Sequence, residues 1–256
     1  MSTPPEALPR HHLERKLRRS RTLNLVLGTV AIAALLFGGF QWKAASSVAS
    51  PSAMNATGET SGKGEGSGNA GAASHVRLEA DDPMAIGAID APVVLSEWVD
   101  FRCPFCAVFS RDVLPQLVQE YVDEGKVRIE VHDVAFFGDE SLRAAVAARA
   151  AGEQGKYFEF LGAVYEAAPE SGHPELPADE LIELAKVAGV PDLEQFEGDM
   201  QREDLAAAVR QSTERAGQLG VTGVPFFAVG DQAISGAQPI ESFRQFLDQQ
   251  LALSAS

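Results

Sequence analysis

The chain has 256 residues, of which 45% are hydrophobic, and this excludes a largely disordered protein. From residue 76 onward, 13 Lys and Arg residues stand against 32 Asp and Glu residues, so this part of the chain is strongly acidic. Such a surface repels phosphate backbones, and we therefore expect no nucleic-acid partner.

A basic segment and a long apolar run open the chain. Residues 1–22 hold six Lys or Arg residues, and residues 23–42 hold no charged side chain. A helix of 20 residues spans roughly the 30 Å hydrocarbon core of a bilayer. We interpret residues 23–42 as a transmembrane anchor and, by the positive-inside rule, residues 1–22 as cytoplasmic. An export signal that is cleaved, which would release a secreted protein, is the alternative, and both interpretations export the rest of the chain.

Residues 43–75 are rich in Ser, Gly and Ala, which predicts a flexible linker, and the folded domain should occupy residues 76–256. The apolar, β-branched run Val93–Val99 predicts its first buried strand. After Cys103, apolar residues recur at helical spacing as far as Tyr121, with a kink expected at Pro115. Residues 127–131 alternate and predict a second strand, which gives a parallel β-α-β unit.

The second half of the domain has a different sequence pattern from the first. Residues 141–219 carry Ala-rich helical patterns interrupted by Gly and Pro, and they predict a block of several helices. A strand at 225–229, a turn, a short strand near 233–234 and a helix from Pro239 follow. The second unit is therefore β-β-α.

The two cysteines of the chain, Cys103 and Cys106, enclose too short a loop to staple the fold. Cys103 lies where the first strand passes into a helix, and a helix N-terminus favours a thiolate. We expect Cys103 to be the exposed nucleophile, Pro104 to occupy the first helical turn, and Cys106 to attack a mixed disulfide from one turn deeper.

Half of a zinc site is the alternative interpretation of this motif. Structural zinc sites need four ligands, and the sequence offers no second Cys or His pair, because His75, His132 and His173 are widely separated. We therefore expect neither a metal nor a cofactor.

Two further residues stand out. Glu97 lies in the middle of the apolar strand, where burial would raise its pKa and make it a proton donor or acceptor for Cys106. A solvated position at a strand edge is the alternative. Pro225 opens an apolar strand, and taken alone it predicts an ordinary trans proline.

Three segments together resemble the DsbA-type branch of the thioredoxin-like superfamily, including membrane-anchored members from bacterial envelopes. They are residues 94–106 (VLSEWVDFRCPFC), 136–141 (FFGDES) and 220–227 (GVTGVPFF). The resemblance covers about residues 83–251. It implies an α/β thioredoxin-like fold, with β-α-β and β-β-α halves sharing a central sheet around a helical insertion at about 141–219.

The resemblance also implies residue roles. Cys103 is then the attacking and leaving cysteine and Cys106 the resolving one, and together they form the redox-active disulfide. Glu97 is the buried acid, and Pro225 is a cis-proline beside the sulfurs. Substrate contacts are expected from the following residues: Val224, Pro104 and Phe105. Phe105 stands where some members carry His, so electrostatic support for the thiolate is missing at that position.

These features predict an extracytoplasmic thiol-disulfide oxidase. It would donate the Cys103–Cys106 disulfide to reduced exported proteins through a mixed disulfide, and a membrane partner would reoxidise it. A reductase or isomerase in the same compartment is one alternative. A redox-inactive, tethered binding domain with a thioredoxin fold is another, although the presence of both cysteines speaks against it.

Overall fold

A computed structural model describes residues 75–255, and a five-stranded mixed sheet forms their centre. The strands lie in the order β1-β3-β2-β4-β5, with bounds β1 Ala85–Ile86, β2 Val93–Val99, β3 Val127–Asp133, β4 Phe226–Val229 and β5 Gln232–Ser235. β2 and β3 are parallel, and the other neighbours are antiparallel. The predicted β-α-β and β-β-α units are therefore confirmed.

Eight α-helices accompany the sheet within the described residues. Their bounds are α1 Pro104–Asp112, α2 Leu114–Leu117, α3 Asp139–Glu153, α4 Tyr157–Ala167, α5 Ala178–Val187, α6 Leu193–Asp199, α7 Glu203–Gln218 and α8 Ile240–Ser254. A π-helical turn, Val118–Val122, follows α2. The inserted helical block thus runs from α3 to α7, within two residues of its predicted bounds.

The predicted kink at Pro115 is a full break between α1 and α2, and it lies two residues earlier, at Val113. A proline in an uninterrupted helix would clash with the carbonyl four residues before it, here that of Arg111. With the break at Val113, Pro115 instead lies in the first turn of α2, where its missing N–H is harmless.

The strand β1 was not predicted. It has only two residues, which is too short to show a period-two pattern, and it pairs antiparallel with β3 at the edge of the sheet. Gly87 follows it with φ +102°, and a Cβ there would lie 2.7 Å from the carbonyl oxygen of Val127. The close approach of the two backbones therefore requires glycine.

The two faces of the sheet carry different cores. On one face, Leu95 and Phe227 pack with Phe109 of α1 and Phe243 of α8. The apolar cluster next to it joins both cysteines to the helical block, whose Ala-rich α3 lets neighbouring helices approach closely. On the opposite face, Trp98 packs against α7. The cysteines thus lie where sheet, α1 and helical block meet.

The expected anchor at 23–42 and the linker at 43–75 lie outside the described residues, apart from His75. Within residues 75–255, no helix has the length and apolar character needed to cross a bilayer.

Candidate active site

Cys103 lies at the junction of β2 and α1. Its backbone N–H donates to the carbonyl of Asp100 at 2.9 Å, which closes a tight turn after the strand. Its own carbonyl accepts the N–H of Ala107 at 3.1 Å, and Pro104 begins the helix. Cys103 is therefore the N-cap of α1, and its sulfur lies beside the unpaired N–H groups of the first turn.

This position changes the acidity of the Cys103 thiol. A hydrogen bond from the Cys106 thiol is the largest influence, and backbone N–H groups of Cys106 and Phe105 add to it. Together they outweigh burial and lower the pKa of Cys103 to about 7. Cys103 was expected to be exposed, and this was wrong, because only 3% of the residue is exposed in the described structure.

Cys106 and Glu97 lie beneath Cys103. Cys106 is fully buried, and burial, followed by the hydrogen bond to Cys103, raises the pKa of its thiol well above the usual value. Glu97 is 3% exposed, and burial raises the pKa of its carboxyl to about 8. The nearby Glu97 charge adds to the raised pKa of Cys106. Glu97 is thus a buried acid, and the alternative of a solvated edge residue is wrong.

The segment before β4 covers the sulfur of Cys103. The Val224–Pro225 peptide bond is cis, as the resemblance implies and contrary to the trans proline expected from local sequence alone. The Cys103 thiol donates to the carbonyl of Val224, with an Sγ to O distance of 3.4 Å. The two halves of the fold, separated by about 120 residues, therefore meet at the attacking sulfur.

The two residues between the cysteines face outward. Phe105 is 64% exposed, and Pro104 is half-buried. An apolar ring this exposed, two residues after the nucleophile, is available for contact with an apolar part of a protein substrate.

Two residues of the site were missed by sequence reasoning. Asp100 is fully buried, and its carboxylate accepts N–H groups from Arg102 at 2.9 Å, Phe136 at 2.8 Å and Phe137 at 3.3 Å. It joins the cysteine turn to the loop after β3. A carboxylate directly after a buried strand and three residues before the motif was the available signal.

Arg102 is the second of these residues. Its guanidinium donates to the carbonyls of Pro174 at 2.7 Å and Phe137 at 2.8 Å, and it pairs with Glu140 at 2.7 Å. One side chain thereby fixes the turn before Cys103 to the loop after β3 and to the loop between α4 and α5. Its partners lie 35 and 72 residues away, so no local pattern could reveal them.

Within the described residues, no group of three or more His, Cys, Asp or Glu side chains is arranged to hold a metal ion. The site combines two thiols of unequal pKa, Cys103 and Cys106, with the buried acid Glu97. These are the groups that thiol-disulfide exchange requires.

Comparison with known proteins agrees with this geometry. A family model described as thioredoxin matches residues 79–249. The chain belongs to the thioredoxin family. A probable disulfide bond formation protein D from Bacillus cereus is 31% identical over 173 residues, covering 66% of this chain and 78% of that protein.

Solved structures share the fold. The crystal structure of oxidised BdbD from Bacillus subtilis matches with a TM-score of 0.62 and 24% identity, over 67% of this chain and 94% of that one. A thioredoxin-like oxidoreductase from Silicibacter pomeroyi matches with a TM-score of 0.56 and 28% identity, over 67% and 92%. Together with the Bacillus cereus relative, they confirm the DsbA-type resemblance and the assignment to the thiol-disulfide oxidoreductases.

Proposed function

We propose that the protein is an extracytoplasmic oxidase that introduces disulfides into reduced exported proteins. The observation that carries the proposal is the pairing of a helix-capping Cys103, whose pKa is lowered to about 7, with a buried Cys106 whose pKa is raised. Sequence relatives named for disulfide bond formation support the direction of transfer.

The reaction begins with the Cys103–Cys106 disulfide. A substrate thiolate attacks the sulfur of Cys103, so an intermolecular S–S bond forms and the Cys103–Cys106 bond breaks, leaving its electron pair on Cys106. A second substrate thiolate then attacks the substrate sulfur of this mixed disulfide, and Cys103 leaves as a thiolate. The substrate loses two electrons and gains a disulfide, and the cysteine pair gains both electrons.

Glu97 has the role of proton donor in this scheme. Because the pKa of its carboxyl is about 8, Glu97 is mostly protonated at neutral pH. It can therefore protonate Cys106 when that sulfur is released into a buried site. Cys103 needs no such help, because a thiolate of low pKa is a good leaving group. Pro225 and Val224 cover Cys103, and Val224, Pro104 and Phe105 are the surface that meets the substrate.

The strength of this oxidant follows from the acidity of Cys103. A pKa of about 7 is close to that of thioredoxin and lies above that of strongly oxidising DsbA, at about 3.5. We therefore expect a reduction potential between roughly −270 and −120 mV. Equilibration with glutathione measures this potential. A value at or below about −270 mV would instead identify the protein as a reductase, which is the second candidate function.

Oxidation of reduced, unfolded ribonuclease A tests the activity itself. The oxidised protein should restore ribonuclease activity. A Cys106→Ala variant whose Cys103 is first linked to glutathione as a mixed disulfide should exchange this link for a ribonuclease thiol, release glutathione as the thiol, and accumulate the mixed disulfide with ribonuclease through Cys103. The Cys103→Ala variant is the matched control, because it keeps one thiol at the same site but should trap nothing. Equal trapping by the two variants would contradict the assigned roles.

We also propose that residues 23–42 hold the domain at the outer face of the cell membrane, close to a membrane partner that reoxidises it. The basic residues before this run and its length support the proposal. The full chain should stay in the membrane fraction after washing with alkaline carbonate. Recovery of a soluble form that begins near residue 45 to 50 would instead identify a cleaved signal.

A further inference from the structure

Asp100 is a buried acid in the turn that leads into Cys103, and the exchange reaction described above gives its charge no role. The backbone carbonyl of Asp100 accepts the N–H of Cys103 at 2.9 Å and the hydroxyl of Tyr165 at 3.2 Å. One oxygen of its carboxylate accepts the N–H of Arg102 at 2.9 Å. An aspartate that bonds the backbone two residues ahead is held within its own turn. The carboxylate is therefore fixed in the same turn as the attacking cysteine.

The surroundings of Asp100 favour its ionised form. The second carboxylate oxygen accepts the N–H groups of Phe136 at 2.8 Å and Phe137 at 3.3 Å, and the first accepts that of Arg102. Such donors favour a charged carboxylate over the neutral acid. Burial acts in the opposite direction and raises the pKa of Asp100, and these N–H groups limit the increase. Because backbone N–H groups carry no net charge, they hold the carboxylate without cancelling its charge.

Asp100 and Cys103 interact where water does not screen them. Asp100 is fully buried, and Cys103 is 3% exposed. Two charges attract or repel each other far more strongly in a protein interior than in water, and dissolved salt weakens a buried pair only slightly. The hydrogen bond from Cys106 is the largest influence that lowers the pKa of Cys103, and the charge of Asp100 acts against it.

The other buried ionisable groups at this site carry little charge near neutral pH. Glu97 of β2 is mostly protonated there, because burial raises the pKa of its carboxyl to about 8. Cys106 of α1 and Tyr165 of α4 are neutral, because burial raises the pKa of each well above its usual value. The charge that faces the Cys103 thiolate from the interior is therefore that of Asp100.

Charged groups at the rim of the turn are paired or solvated. Arg102 pairs with Glu140 of α3 at 2.7 Å, and Nδ1 of the exposed His173, in the loop between α4 and α5, donates to the carbonyl of Arg102 at 2.9 Å. The loop at 134–138 and the segment at 221–225 contain no ionisable side chain. None of these neighbours supplies a buried charge that balances the carboxylate of Asp100.

We propose that Asp100 is a positioning residue for Cys103 whose buried charge opposes the thiolate and so limits how strongly the cysteine pair oxidises. The sign follows from the two redox forms. The disulfide form has no thiolate for Asp100 to repel, whereas the reduced form places a negative charge on Cys103. Repulsion between the two charges destabilises the reduced form, and an oxidant is stronger when its reduced form is more stable.

Asp100→Asn tests the charge, because asparagine keeps the size of the side chain. The midpoint of the alkylation rate of Cys103 against pH should fall from about 7 to about 6. High salt should leave this difference in place. Asp112→Asn is the matched control, because it removes the same charge from the exposed far end of α1 and should keep the midpoint near 7. An unchanged midpoint in the folded Asp100→Asn variant, or equal shifts in both variants, would overturn the proposal.

Equilibration with glutathione separates charge from packing. Two glutathione thiols reduce the Cys103–Cys106 disulfide and leave as one glutathione disulfide. If the pKa of Cys103 falls by one unit, Asp100→Asn should favour the reduced form about ninefold at pH 8 and less than about twofold at pH 6, where less thiolate forms. A merely loosened turn would shift the equilibrium equally at both pH values, and that result would overturn the proposal.

The inference concerns the cysteine pair of the proposed oxidase, but both measurements use no protein substrate. Failure to oxidise ribonuclease would therefore contradict the proposed function and leave the role of Asp100 standing.

The native protein supplies a measurement that does not depend on the folding of a variant. The side-chain carboxyl carbon of Asp100, followed by NMR in isotope-labelled reduced protein, should shift with a midpoint near 7 as Cys103 ionises. The oxidised protein is the control, because it forms no thiolate. A carboxyl resonance that does not respond near pH 7 in the reduced protein, or that responds equally in both redox forms, would overturn the proposal.

Discussion

Glu97 and Glu130 are buried glutamates on neighbouring strands of one sheet, yet their surroundings differ completely. Glu130 is fully buried, pairs with Arg128 at 3.1 Å, and accepts the backbone N–H groups of Arg77 at 2.8 Å and Leu78 at 3.0 Å. Glu97 faces the cysteines, burial accounts for its raised pKa, and no cation among residues 75–255 opposes this effect. The cation and N–H donors around Glu130 give this residue a structural role. Glu97 has no such cation among the described residues, so its carboxyl can take up and release a proton near neutral pH.

The difference shows that burial does not by itself define a functional acid. A carboxylate that is desolvated but paired with a cation and N–H donors holds the structure together. A carboxylate that is desolvated without compensation takes up a proton near neutral pH and can return it during catalysis. In this fold, the compensated Glu130 and the uncompensated Glu97 lie on opposite faces of the sheet.

The largest expected effect is on stability, from Glu130→Gln. This substitution leaves the guanidinium of Arg128, which is 4% exposed, without its charged partner. An unpaired buried charge costs roughly 3–5 kcal/mol in the free energy of unfolding. Unfolding by denaturant measures the loss, and Glu183→Gln is the control, because its exposed pair with Lys186 should contribute less than about 1 kcal/mol.

The Cys103 thiol should be unaffected by Glu130→Gln, because Glu130 points to the other face of the sheet. Alkylation rates of the reduced variant, measured against pH, should keep their midpoint near 7. A displaced midpoint in a folded variant would show that the two faces are coupled and would remove the distinction between the two glutamates.

Glu97→Gln should have the next largest effect on the free energy of unfolding, and the size of this effect depends on pH. The pKa of Glu97 rises from 4.5 to about 8 on folding, so its stabilising contribution is complete below pH 4.5 and is lost as pH rises through 8. The amide of Gln does not titrate. The native protein should therefore lose a few kcal/mol relative to the variant between these pH values. Unfolding curves at pH 5 and pH 9 measure this difference, and a constant difference would refute the raised pKa.

Sequence reasoning predicted the features that rest on local patterns. The strand Val93–Val99, the N-cap position of Cys103 and the burial of Glu97 follow from periodicity and helix-terminus chemistry. It missed what depends on contacts between distant segments. The burial of Cys103 beneath Val224 and the two loops fixed by Arg102 join residues 35 to 121 positions apart. The cis state of Pro225 needed the family resemblance, because local sequence favours trans.

The smallest effect should come from supplying a charged partner at the surface of the site. Phe105 is 64% exposed, so Phe105→His places an imidazole next to Cys103 in a largely solvated position. At pH 6, where much of an exposed histidine is protonated, the added charge should lower the pKa of Cys103 by up to about one unit. That corresponds to a reduction potential up to roughly 30 mV more oxidising.

Phe105→Gln is the control for this substitution, because it removes the ring without adding charge. If a charged partner is what matters, Phe105→His should differ from Phe105→Gln at pH 6 and low salt, and the two should converge as salt screens the imidazolium. Identical alkylation midpoints at low salt would show that the hydrogen bond from Cys106 already supplies all the stabilisation that the Cys103 thiolate can use. The pKa of Cys103 would then be set by the buried Cys106, which lies near Glu97, and not by the side chain at position 105.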